Sequence, residues 1–397
     1  MRTRDWRTLL LLTLVAVLPL EALARIKLLT LPVRERVEIR LDHAEATLVE
    51  EERIVPLTQG VNEVDFSWSN SQVDANSLLF RLLPTPGGEG VGAEVLSVSY
   101  PPNENALVWN VAAKLSGPAR VRIGYLLGGL EKSYHYRAVA DHDERFLSLF
   151  HYLKVQNYAN EDYADAYIQA GFGEPIQRPL GIDESKELLL ARYDGVPLTK
   201  RYTADLSRYG YFDAAKKKLR IPMHYVLQND AAHGLGRTAL PFGKARIFQQ
   251  DGKGGSSFVG EDWAQFTPRD DELALFLGEA RDISVVRTVE RSDRQRVGGD
   301  LYHYDLVVKY EIENFKDSAV TLDIGEEVKR LRAEILRDNG RDVQWELGPE
   351  TSFAGPPDPE HSDADRLLFH VALPPRQPDG AAQKLVHKLH LQIKNEW

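Results

Sequence analysis

Apolar and polar residues alternate with a period of two along most of this chain, and turn residues interrupt the alternation at short intervals. Val37, Ile39 and Leu41 alternate with Glu38, Arg40 and Asp42, which predicts a half-buried strand. A second run from Thr47 to Leu57 carries Glu50-Glu51-Glu52 partway along. After the turn Gln59-Gly60-Val61-Asn62, Val64, Phe66 and Trp68 point one way while Asp65 and Ser67 point the other. Further strands are predicted at Leu96 to Tyr100, Leu107 to Val111 and Val121 to Tyr125. Arg145 to Gln156 is apolar on both faces, as in a central strand covered on each side. Leu306, Val308, Tyr310 and Ile312 alternate against Lys309, Glu311 and Glu313, and the chain closes through Leu389, Leu391 and Ile393. Only Glu326 to Leu336 is ambiguous, because Val328, Leu331 and Ile335 fit a helical period. The pattern predicts an all-β protein: two antiparallel β-sandwich modules with Greek-key-like connections and few or no long helices. Ser116-Gly117-Pro118 is the expected boundary, giving modules over 25–116 and 117–397.

Turn signals are densest between Leu227 and Arg291. Asn229-Asp230, Gly234-Leu235-Gly236, Pro241-Phe242-Gly243, Asp251-Gly252-Lys253-Gly254-Gly255 and Pro268-Arg269-Asp270-Asp271 divide this stretch into short strands. The block NDAAHGLGRTALPFGKARIFQQDG, followed by FVGEDWAQFTPRDDELALFLGEARDISVVRTVER, resembles the signature of a domain-of-unknown-function family often labelled mucoidy-inhibitor-A-like. LEKSYHYRAVADHDERFLSLFHYLKVQNYANEDYADAYIQAG upstream and YHYDLVVKYEIENFKDSAVTLDIGEEV downstream extend the likeness, and residues 25–116 resemble the short N-terminal β module of that family. The resemblance implies a β-rich fold and carries no established activity, cofactor or catalytic residue. Many relatives insert a long helical hairpin between the two parts. No heptad run appears here between Ser71 and Gly117.

A length of 397 residues suits two or three domains and a sizeable core. The net charge of −10 argues against a nucleic-acid partner and against docking on anionic lipid. With no cysteine, disulfides, thiolate metal sites and cysteine nucleophiles are excluded. Arg2, Arg4 and Arg7, the apolar run Thr8 to Leu20, and Ala22-Leu23-Ala24 have the three parts of a secretory signal, so residues 1–24 are expected to be removed before Arg25. The apolar run falls short of the ~20 residues that span a bilayer. Arg25 and Lys27 can hinder processing, which leaves an uncleaved membrane anchor as the alternative.

Candidate chemistry is sparse. The triplet Glu50-Glu51-Glu52 suits a solvated strand edge kept from aggregating by charge. Asp141-His142-Asp143-Glu144 lacks the alternating ligands of a calcium loop and fits a solvated turn. His387 and His390 are three apart and face opposite sides of a strand, so they cannot share a metal. Gly252-Lys253-Gly254-Gly255-Ser256-Ser257 lacks the order of a phosphate loop. Asp262, Trp263 and Phe266 are the candidate binding residues, since aromatic faces stack on pyranose rings; large aromatics dominate β-sandwich cores, however, and a core Trp263 with capping polar neighbours is the favoured reading. No catalytic residue, metal ligand or cofactor is expected. The chain is expected to be an exported, non-catalytic β-sandwich protein of the cell envelope, periplasmic or secreted, with no stable membrane insertion once the signal is cleaved. It would bind or scaffold a protein or glycan partner. The alternative is a hydrolase of envelope polymer using paired carboxylates such as Glu261 and Asp262, which point apart on one strand and so need a partner from another.

Overall fold

The computed structural model describes residues 27–396, apart from 44, 69, 85–89, 206–215, 300 and 337–343. The expected signal peptide, 1–24, lies outside the described residues. Among the described residues the chain forms twenty-five strands, numbered in chain order, and one α-helix, so the alternation correctly implies an all-β protein.

A four-stranded sheet runs in the order β1 (Lys27–Thr30), β4 (Gly60–Ser67), β7 (Ala106–Ala113), β6 (Ala93–Ser99). It faces a six-stranded sheet ordered β12 (Ile176–Leu180), β11 (Tyr163–Gln169), β2 (Arg36–Arg40), β3 (Thr47–Leu57), β8 (Gly117–Leu127), β5 (Leu79–Leu82). Val37, Ile39, Val64, Phe66, Trp68, Trp109 and Tyr125 fill the core between them. The expected boundary at Gly117 is the first residue of β8, which pairs with β3 along its whole length. The first sandwich therefore continues past it and also takes in β11 and β12.

A five-stranded sheet follows, ordered β13 (Ser185–Pro197), β10 (Phe146–Asn157), β9 (Leu130–Ala140), β17 (Gly243–Gln250), β18 (Ser256–Ala264). Two more sheets have the orders β19 (Glu272–Glu279), β16 (Pro222–Gln228), β14 (Thr199–Asp205), β22 (Val320–Glu327), β24 (Arg366–Leu373) and β15 (Lys216–Leu219), β20 (Ile283–Gly298), β21 (Leu301–Asn314), β25 (Lys384–Glu396), β23 (Gln344–Leu347). Where the pattern predicts two sandwiches, the buried side chains form three cores. The β19-β16 half of its sheet packs with β9, β10 and β17 in the middle core, whereas the β14-β22-β24 half packs with β20, β21 and β25. Leu306, Val308, Tyr310 and Ile312 fall together into this last core, as their alternation requires. Strand β10 serves two cores at once: Leu147 and Leu149 lie in the middle one, Leu153 and Val155 in the first. The ambiguous segment is helix α1 (Val328–Leu336), with Val328 and Leu331 buried one turn apart.

Among the described residues pairing is antiparallel apart from four parallel contacts, β1–β4, β2–β11, β9–β17 and β14–β22. Each joins strands remote in sequence, so no hairpin turn announces it. Asn62, Asn157, Asn229 and Asn314 are all buried at strand ends, and each side-chain amide donates to a carbonyl of the adjoining turn. At the β9–β17 contact, a Cβ on Gly243 would sit 2.4 Å from the carbonyl oxygen of Tyr134, so only glycine permits this approach.

The glutamate triplet corrects its expectation. Strand β3 is interior, and Glu50, Glu51 and Glu52 are 6%, 0% and 5% exposed. Glu51 pairs with Arg34 at 3.0 Å and Arg53 at 2.5 Å, and it accepts from the Tyr125 hydroxyl at 2.6 Å. Glu52 pairs with Arg120 at 2.7 Å and with Arg122, while Glu50 meets Arg81 and, at 3.5 Å, Arg40. Charges of this kind are tolerated in an interior only when paired and hydrogen-bonded. Apart from Arg53, which lies on β3 itself, these partners arrive from other strands or from the segment before β2, which local alternation does not reveal.

Candidate functional site

The sheet ordered β13-β10-β9-β17-β18 turns one face to the cores, through Tyr136, Ala138, Leu147, Leu149, Ala245 and Ile247. Because side chains alternate, the intervening residues stand on its outer face, and residues opposite one another in register become lateral neighbours. Three rows result. Leu189, Tyr152, His135, Lys244 and Trp263 form one. Arg192, Phe150, Arg137, Arg246 and Glu261 form the next. Ser148, Val139, Phe248 and Phe258 form the third. Leu189, Phe258 and Trp263 are about half exposed, and Arg137, Arg192 and Arg246 are exposed.

The rows are held by ring and guanidinium contacts. The His135 ring stacks on Tyr152 with centroids 5.1 Å apart, and its Nε2 lies 2.9 Å from Glu187. Burial pulls the His135 pKa down, against the opposing pull of Glu187, and Arg246 and Lys154 push the same way as burial. Arg137 sits 4.4 Å over the Phe150 ring and donates from Nη2 to the Tyr152 hydroxyl at 3.0 Å. Arg192 approaches the same Phe150 ring at 5.1 Å and pairs with Asp194 at 2.7 Å. At the far edge Trp263 stacks on Phe242, 5.2 Å apart and nearly parallel at 2°. Lys244 lies 5.9 Å from the Trp263 ring and pairs with Glu261 at 2.7 Å.

Trp263 is therefore no core residue. It is 52% exposed because β18 is an edge strand whose inward residue is Ala264. Asp262, one residue away, points elsewhere: its Oδ2 accepts from the Phe276 backbone N–H at 2.7 Å and ties β18 to β19. Phe266 is 58% exposed beyond the end of β18, and no ring contact among the described residues joins it to Trp263. Phe150, Tyr152, Arg137 and Arg192 escaped sequence reasoning. The available signal was the two-sided apolarity of 145–156, where one side is aliphatic (Leu147, Leu149, Leu153, Val155) and the other aromatic (Phe146, Phe150, Tyr152). The aromatic side is the open one, so β10 is covered on one face only.

No protein-family model matches this chain, and no curated protein matches it.

Other ionisable groups are engaged within the fold. Asp141 caps its turn by accepting from Arg145 N–H at 2.7 Å and Phe146 N–H at 3.1 Å, while Glu144 turns inward to Lys200 at 2.7 Å. His233 lies 2.8 Å from Asp230. Among the described residues no helix is long and apolar enough to cross a membrane.

His370, on β24, bridges two carboxylates. Its Nδ1 is 2.7 Å from Asp323 and its Nε2 3.0 Å from Asp358. Asp323 also meets Arg201 at 3.5 Å, and Asp358 meets His361 at 2.8 Å. The bond to Asp323, opposed by burial and assisted by Asp358, raises the imidazole pKa. A raised folded pKa stabilises the protein fully below the unfolded value near 6.5, and that contribution is lost as pH rises through the folded pKa. The melting temperature should therefore step down from neutral to alkaline pH, and His370→Gln should flatten that step. An identical profile for wild type and variant would show that this bridge is not the group responsible.

Proposed function

We propose that this chain is an exported, non-catalytic binding module of the cell envelope that holds a saccharide chain along the outer face of the β13-β10-β9-β17-β18 sheet. The observation that carries this is the row Leu189, Tyr152, His135, Lys244, Trp263, extended by Phe242 stacked on Trp263. It is a flat, solvent-facing series of rings and alkyl stems fixed on strands, suited to stacking on successive pyranose faces. Export rests on the signal-like pattern of residues 1–24, and membership of the mucoidy-inhibitor-A-like family belongs to the same proposal. A hydrolytic role has less support, because Glu261 stands on the outer face paired to Lys244 whereas Asp262 reaches back to Phe276.

The test compares wild type with Trp263→Ala and Tyr152→Ala on immobilised envelope polysaccharide. Since Trp263 is half exposed, its removal should leave the melting temperature nearly unchanged and weaken retention about tenfold, the effect of losing one stacking ring. Undiminished retention by both variants would place binding elsewhere, and a protein captured independently of Trp263 would favour a protein partner.

A further inference from the structure

We infer, building on the proposed saccharide site, that the bound chain is an acidic polysaccharide whose carboxylates are taken by Arg137 and Arg246. These two residues stand directly opposite each other in the parallel pairing of β9 with β17. Like charges in that relation destabilise a sheet unless something lies between them. Among the described residues no carboxylate does so. Glu261, the register neighbour of Arg246 on β18, is drawn to Lys244 at 2.7 Å. Arg137 lies over the Phe150 ring and donates to the Tyr152 hydroxyl, and Arg246 makes no hydrogen bond or ion pair with any described residue. The third arginine of the row, Arg192, is already paired with Asp194.

Two exposed arginines without a carboxylate partner among the described residues therefore occupy opposite positions on neighbouring strands of a chain whose net charge is −10. Each presents a planar fork of N–H donors that fits a carboxylate in two-point fashion. The neighbouring row of Tyr152, His135, Lys244 and Trp263 runs parallel to them, one side-chain step along the strands. Sugar rings on that row would bring acid substituents over Arg137 and Arg246. Nucleic acid is less well matched, because the chain is acidic overall and such partners are usually met by a clustered basic surface.

The probes are polygalacturonate and hyaluronate, their methyl esters, and dextran, titrated at low ionic strength, with oligodeoxythymidylate as the nucleic-acid comparison. Wild type should bind at least one acid form about tenfold more tightly than its ester, a preference that shrinks with added salt. Arg246→Gln and Arg137→Gln should each erase most of that preference, Arg246→Lys should retain part of it, and no variant should melt below the wild type, since the opposed charges do not stabilise the sheet. Trp263→Ala should weaken acid and ester alike. If acid and ester bind equally, the arginine inference fails and the saccharide face survives. If no polysaccharide is retained, both fail. Tighter binding of oligodeoxythymidylate than of any acid polymer would overturn the inference in favour of a single-stranded nucleic acid.

Discussion

Arg287→Met is expected to lower the free energy of unfolding by about 3–5 kcal/mol, the cost of leaving a buried charge without its partner. Arg287 on β20 and Glu326 on β22 are 3% and 1% exposed inside the third core. The guanidinium reaches the carboxylate in two-point fashion, Nε at 3.0 Å and Nη2 at 2.8 Å, and the Tyr310 hydroxyl donates to the same carboxylate. Methionine fills much of the arginine stem's space, so the loss would come from the stranded carboxylate and not from a cavity. A second replacement, Glu326→Leu in the Arg287→Met background, should recover much of the loss, because an apolar pair of similar volume often equals a buried ion pair. Urea melts of wild type, single and double variants measure this. A single variant within ~1 kcal/mol of wild type would mean that solvent or another cation reaches Glu326.

Two glycines of one loop should respond very differently to the same change. Gly234 and Gly236 have φ of +82° and +78°, so valine at either meets the left-handed penalty, about 1–2 kcal/mol. Nothing lies within 4 Å of a Cβ on Gly234, whereas a Cβ on Gly236 would stand 2.5 Å from the Asp230 carbonyl carbon and 2.6 Å from the Ala231 nitrogen. Gly236→Val should therefore cost about 3–5 kcal/mol in all, adding the overpacking of backbone against backbone. It should also loosen the bond from Gly236 N–H to Asn229 Oδ1, on which this loop turns. Since the loop leads directly to Phe242, the variant should lose saccharide binding at temperatures where Gly234→Val still binds. Equal melting temperatures for the two variants would show that the loop relaxes around the new side chain.

Alternation told correctly which way most side chains face, because that property is fixed within a strand. Val64, Phe66 and Trp68 share one core, as do Leu306, Val308, Tyr310 and Ile312. Neighbourhood across strands was illegible. The arginines around Glu50, Glu51 and Glu52 belong to segments as distant as Arg34 and Arg122, and Arg137 meets Arg246 only through a parallel pairing with no hairpin to mark it. The residue type alone favours a core Trp263, because large aromatics dominate β-sandwich cores. What decides its exposure is the edge position of β18, a matter of sheet order. Asp262 and Trp263, adjacent in sequence, are divided between two faces of the strand by simple alternation, Asp262 opposite Ala245 and Trp263 opposite Lys244.

Strand β10 gives Leu147 and Leu149 to the middle core and Leu153 and Val155 to the first, and the β19-β16-β14-β22-β24 sheet is likewise divided between the middle and last cores. Unfolding cannot begin in one core without removing a wall from the next, so the three should melt as a single cooperative unit. For the same reason the sandwich boundaries are not seams at which recombination could detach a working piece. A break before Gly117 would take from β3 its partner β8, and one after Asn157 would take from β2 its partner β11. Substitutions on the loops and the open face should therefore alter what is bound while the walls behind them stay, whereas a change in a shared wall is felt by two cores.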